Sequence, residues 1–101
     1  MVTHDRAAER LIVYTALSKH DRVRLFLEIA ETPNVTLDEL VKKTKIDREL
    51  AYFHLGMLHA ADLVRQDVRT FAYTLTELGE KYHRQLRRIH KVQRKMETER
   101  Q

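Results

Sequence analysis

The 101-residue chain has no cysteine, two glycines and one proline, and none of its apolar runs approaches the length of a membrane span. Without thiols there are no disulfides, no thiol chemistry and no thiolate metal sites, which fits an intracellular, cytoplasmic protein. Two glycines in separate places make no glycine-rich phosphate loop. A transmembrane helix needs about 20 consecutive apolar residues, and no N-terminal apolar stretch precedes a small-residue cleavage site. Neither a membrane partner nor an export signal is therefore expected. Histidines and carboxylates are plentiful, but no grouping of nucleophile, base and orienting residue stands out, so an enzyme is not expected.

The length suits a single domain over residues 1–101, small enough that association with a second copy would help its stability. The formal charge of +4 is unevenly placed. From residue 80 onward Lys81, Arg84, Arg87, Arg88, Lys91, Arg94, Lys95 and Arg100 face only Glu80, Glu97 and Glu99, whereas the preceding part is nearly neutral. A basic end suits an anionic partner, and it equally suits a solvated helix face.

Hydrophobic spacing predicts a first helix over Asp5 to Ser18, with Ala8, Leu11, Ile12, Thr15 and Tyr14 on its apolar side. A second runs from His20-Asp21 to Glu31, where Val23, Phe26, Leu27 and Ala30 recur at helical spacing and Leu25 and Ile29 widen the buried face. Pro33 and Asn34 stop it. Thr36 and Glu39 then form a capping-box pattern ahead of a short helix to Thr44, with Leu37, Leu40 and Val41 inward and Lys42, Lys43 and Lys45 outside. Asp47 is the expected cap of the next helix, to about Ala61. Its Ala51, Leu55, Leu58 and Ala61 face the core, Met57 lies at the edge, and Arg48, Glu49, Tyr52 and Phe53 mark the opposite side.

Beyond Leu63-Val64, the alternation of Phe71, Tyr73 and Leu75 with Ala72, Thr74 and Thr76 predicts a strand with one buried face. Residues 67–70 lack Gly and Pro, so a longer loop replaces a tight two-residue turn. Val35 is a candidate for a minimal third strand. A last helix over about 77–98 carries Leu78, Tyr82, Leu86, Ile89, Val92 and Met96 at intervals of three and four. That stripe either pairs with a second copy, the preferred reading, or lies across its own domain. The fold expected is mainly α with a small β-hairpin, in the order α-α-(β)-α-α-β-β-α. This is the element order of a winged helix-turn-helix.

Three segments carry a resemblance. LSKHDRVRLF (Leu17 to Phe26) looks like the helix entry of small ArsR-like winged-helix regulators. DRELAYFHLGMLHAADLV (Asp47 to Val64) resembles their recognition helix and its exit into the wing, with His54-Leu55, Leu58, Ala61 and Leu63-Val64 at framework positions. YTLTELG (Tyr73 to Gly79) resembles the end of the wing in ArsR-, MarR- and PadR-like proteins. The resemblance implies a homodimer joined through its outer helices, including Leu11 and the C-terminal stripe. Its recognition helices would enter neighbouring major grooves of double-stranded DNA, commonly to repress transcription. The chain departs from the metal-sensing members: LDELV (Leu37 to Val41) has no cysteine cluster, and His83, His90 and Glu97 make no convincing metal motif. No metal or cofactor is expected, and nothing in the sequence identifies a small-molecule effector.

Side-chain chemistry divides the DNA-binding roles. Arg48 can donate two directed bonds to guanine, Glu49 can accept from cytosine, and Tyr52 and Phe53 flank them on the base-reading side. Thr36, Lys42, Lys43 and Lys45 around the turn, with Arg65 and Arg69 in the wing, are candidates for the phosphate backbone. This recognition helix is poor in positive charge. A winged-helix protein-interaction module, with Tyr52 and Phe53 in an apolar contact, and a non-specific chromatin-like DNA binder are the alternatives. His54 is expected to be packed rather than catalytic, and His59 to face solvent.

Overall fold

A computed structural model describes residues 6–99, with side chains through residue 88. Its elements follow the expected order: α1 (Arg6–Ala16), α2 (His20–Glu31), α3 (Leu37–Thr44), α4 (Arg48–Ala60), β1 (Val64–Gln66), β2 (Tyr73–Leu75) and α5 (Glu77–Glu99). The fold is a winged helix, five helices and a two-stranded antiparallel hairpin.

Helix α2 is the hub, packing against α3, α4, β2 and α5. Its buried row is Arg22, Leu25, Phe26 and Ile29, whereas Val23, Leu27 and Ala30 are only half-buried. The centre of the inward face is therefore shared by Phe26, expected there, with Leu25 and Ile29, expected only to widen it. Val13 and Ala16 of α1, Leu40 of α3, and Ala51, Leu55 and Leu58 of α4 close around this row.

Helix α1 faces the other way from its predicted face. Val13 and Ala16 are buried, while Ala8, Leu11, Ile12, Tyr14 and Thr15 are exposed. Apolar residues run consecutively through Leu11, Ile12, Val13 and Tyr14, so the pattern does not single out one side. Packing selects compact Val13 and Ala16.

Local chemistry sets the other boundaries. The Thr36 hydroxyl accepts from the Glu39 amide at 3.2 Å and the Thr36 amide donates to the Glu39 carboxylate, completing the capping box. Helix α3 ends at Lys45 in the left-handed region (φ 63°), and Ile46 plugs the turn with 5% exposure. Asp47 then caps α4 by accepting from the Glu49 and Leu50 amides.

Strand β1 pairs with β2 in the register Val64 with Leu75, Arg65 with Thr74 and Gln66 with Tyr73. Val35 bridges to the free side of Tyr73 as the minimal third strand. Phe71 does not join the strand's buried face: it is exposed and left-handed (φ 62°). The wing connection is an aspartate-built turn in which the Asp67 carboxylate accepts from the Arg69 and Thr70 amides at 2.7 and 3.1 Å. These two bonds hold the carboxyl below its ordinary pKa. They also fix the chain so that Ala72, not Phe71, turns inward.

Helix α5 is seated by Thr76 and Gly79. The Thr76 hydroxyl accepts from the Gly79 amide at 2.9 Å, capping the helix, and donates to the Asp62 carbonyl. Gly79 passes so close to β1 that an added Cβ would lie 2.1 Å from the Leu63 carbonyl oxygen.

Candidate nucleic-acid interface

The cap at Asp47 and the inward row Ala51, Leu55 and Leu58 orient α4 so that Arg48, Glu49, Tyr52 and Phe53 all face solvent. Tyr52 is 64% and Phe53 56% exposed. The Phe53 ring meets His54 edge-on at 5.6 Å between centroids. Arg48 is not free: its guanidinium pairs with the Asp38 carboxylate on α3, across the helix-turn-helix corner. Sequence reading did not pair these two residues, since the contact depends on how α3 and α4 cross.

The six candidate backbone contacts differ in what they already hold. Lys42 and Lys45 are exposed, and neither is in an ion pair among the described residues. Lys43 turns back to α2, 3.8 Å from the Glu28 carboxylate and donating to the Thr32 hydroxyl. The Thr36 hydroxyl donates to Glu39 and serves the cap. Arg65 sits at the wing base, where it donates to the Thr74 hydroxyl and lines an open cleft of about 420 Å³ with Ile29, Pro33, Leu75, His83 and Arg84. Arg69 lies at the exposed wing tip between Val68 and Phe71, which are 87% and 65% exposed. The structure thus gathers Lys42, Lys45, Arg48, Glu49, Tyr52 and Phe53 around the corner and α4. It sets Arg69 apart on the wing and turns Lys43, Thr36 and Arg65 toward the chain itself.

Behind this surface is a polar contact that sequence reading missed. Buried Arg22 donates from Nε to His54 Nδ1 at 3.3 Å and from a terminal nitrogen to the Ala16 carbonyl at 3.1 Å. It joins the end of α1, the hub helix and the back of α4. An arginine among apolar residues was the only signal, and its partners, six and 32 residues away, come together only in the fold. Burial, then the nearby Arg22 charge, lowers the His54 pKa below 6.5, so the ring accepts from Arg22 as a neutral imidazole. This supports the expectation of a packed His54, and His59 is exposed as predicted.

The predicted dimer stripe divides. Tyr82 belongs to the chain's own core at 3% exposure, donating from its hydroxyl to Glu9 and meeting Tyr14 edge-on. Leu78 and Leu86 are half-buried against the same core. This part of α5 lies across its own domain because Gly79 lets it approach so closely. Ile89, Val92 and Met96 lie outside the described side chains, as do His90 and Glu97. Leu11 remains exposed at 69%, beside Ile12 and Tyr14. His83 is half-buried with its ring edge-on to Phe26, and burial followed by the Arg87 charge lowers its pKa. Among the described residues no group of three His, Asp or Glu side chains is arranged to hold a metal, and no helix is long and apolar enough to cross a membrane.

The geometry defines a winged helix-turn-helix, and solved structures share it. A protein of unknown function from Listeria innocua superposes with a TM-score of 0.69 at 17% identity, over 86% of this chain and 66% of its own. The chain thus spans slightly less than two thirds of that protein. Reduced HlyU from Vibrio cholerae superposes with a TM-score of 0.67 at 20% identity, over 80% of this chain and 86% of its own. At such identities the likeness is one of fold. Neither the protein-family models nor the curated proteins yield a match.

Proposed function

We propose that this chain is a DNA-binding transcriptional regulator, acting as a homodimeric repressor that presents α4 to the major groove and the wing to the flanking backbone. The observation that carries the reading is the outward side of α4, left open by the fold and bordered by the uncommitted Lys42 and Lys45. That layout matches the division between base-reading and phosphate-holding groups in a helix-turn-helix. The likeness to HlyU-type architecture supports the same fold-level reading. Dimerisation is supported by the exposed row Leu11, Ile12 and Tyr14 on an outer helix.

The test is a salt series on several duplexes, followed by protection mapping on genomic DNA. Binding is expected to weaken steeply with salt and to favour some sequences. Joint replacement of Lys42 and Lys45 by alanine is expected to weaken all duplexes alike and lower the salt slope by about four, two from each protomer of the dimer. An unchanged slope would remove these lysines from the interface.

One observation favours a second reading. Leu50, Tyr52, Phe53 and Met57 on the outer side of α4 are all exposed large apolar residues, and Arg48 at the start of the same helix is already paired. A protein-interaction module would use that surface as its contact. Absence of salt-sensitive binding to any duplex would decide for it, and equal binding to all duplexes would mark a non-specific DNA binder.

A further inference from the structure

Resting on the DNA-binding reading, we infer that α4 selects its site through the 5-methyl groups of thymine, received by Tyr52 and Phe53, and that Arg48 is a positioning residue held by Asp38 rather than a reader of guanine.

Between Glu49 and His59 the exposed positions of α4 are Leu50, Tyr52, Phe53, Gly56 and Met57. None carries an amide, ammonium or guanidinium group, and the Tyr52 hydroxyl is the single side-chain hydrogen-bonding group among them. Read against the groove, this surface is selective. A G·C pair offers only hydrogen-bonding groups there, and an apolar side chain laid over them strips their water without replacing it. An A·T pair offers the thymine methyl, whose burial against an aromatic ring is favourable. Glu49 adds an acceptor for an exocyclic amine, which adenine and cytosine both present, so it does not reverse the preference.

Arg48 is the one residue of the face able to make a bidentate guanine contact, and its guanidinium is engaged by Asp38 from the preceding helix. The pair spans the corner between α3 and α4 on its solvent side. Lys42, one helical turn beyond Asp38 on α3, and Lys45 at the end of that helix are exposed and would hold the phosphates while the aromatic rings meet the groove.

The test uses the full chain and the duplex it prefers from a randomised pool, with affinity read by anisotropy. Replacing thymidines of that duplex by deoxyuridine removes only methyl groups, and affinity is expected to fall about fourfold per contacted methyl. Tyr52→Ala and Phe53→Ala, with folding checked by circular dichroism, are each expected to abolish part of that sensitivity. Replacing guanines by 7-deazaguanine, which removes the N7 acceptor, is expected to leave affinity unchanged. A guanine contact by Arg48 would instead cost about five- to 150-fold on the deaza duplex. Loss on the deaza duplex with indifference to deoxyuridine overturns the inference, as does a pool with no preferred sequence, while DNA binding itself stands in both cases. Failure to bind any duplex overturns the DNA-binding reading instead.

Discussion

Arg22 is the residue whose removal reaches furthest, because one buried guanidinium satisfies the last carbonyl of α1 and the back of α4 together. Arg22→Met keeps much of the apolar stem but strands both acceptors, and is expected to cost about 2–3 kcal/mol in urea unfolding. The same contact makes stability depend on pH. His54 accepts from Arg22 only when neutral, and its folded pKa lies below the unfolded value of 6.5. The unfolded chain therefore binds the proton first on acidification, so the His54 contribution is complete above about pH 6.5 and is lost as pH falls toward the folded pKa. His83, lowered for a similar reason, acts in the same direction. Stability is expected to fall as pH drops below about 6.5, by at most about 1.4 kcal/mol per pH unit for each histidine. His54→Asn offers Arg22 an acceptor that does not titrate in this range and should flatten the fall, leaving the share due to His83. Urea midpoints measured across pH check this, and equal slopes in both proteins would sink the assignment to His54.

At the scale of elements, the two glycines predict opposite signs for one substitution. Gly79 of α5 lies against backbone, so Gly79→Ala drives a Cβ into the Leu63 carbonyl and must displace either the helix or β1. A loss of about 1–3 kcal/mol is expected despite alanine's better helix propensity. Gly56 of α4 has nothing within 4 Å of the position its Cβ would take. Gly56→Ala is therefore expected to stabilise by about 0.5–1 kcal/mol. Thermal unfolding of the two variants checks both signs. The same distinction between local and distant causes explains what could be read from sequence. The limits of α2, the Thr36–Glu39 capping box, the Asp47 cap and the inward row of α4 rest on neighbours within a few residues, and all were legible. The rotation of α1, the burial of Arg22 and Tyr82, and the Arg48–Asp38 pair depend on contacts between elements. Phe71 was misplaced because its left-handed backbone is set by the Asp67 turn, which overrides the alternation that put it on the strand's buried face. Of the candidate site, the outward position of Arg48, Glu49, Tyr52 and Phe53 was legible from spacing, whereas which cations remained uncommitted was not.

Considered as a whole molecule, the chain leaves apolar surface on an outer helix that its own core does not cover. Tyr82 and half-buried Leu78 and Leu86 are spent within the protomer, so the described part of α5 offers a partner less than its stripe suggests. Leu11, Ile12 and Tyr14 of α1 are the larger free contribution, each more than half exposed. Covering them with the same residues of a second copy forms a two-fold contact, the commonest arrangement for a small homo-oligomer. It would also fix the spacing of two recognition helices on DNA. Sedimentation equilibrium of the full chain at micromolar concentration is expected to show a dimer. Replacing Leu11 and Ile12 together by lysine places two charges on each side of that contact and should yield a monomer. Because both positions are exposed in the single protomer, its far-UV circular dichroism should be unchanged and its unfolding free energy altered little apart from the lost association. The monomer should retain weak, salt-sensitive DNA binding and lose the affinity gained from engaging two half-sites at once. A wild-type chain that sediments as a monomer would reject the dimer, and a doubly substituted chain that remains dimeric would move the interface from α1 to the far end of α5.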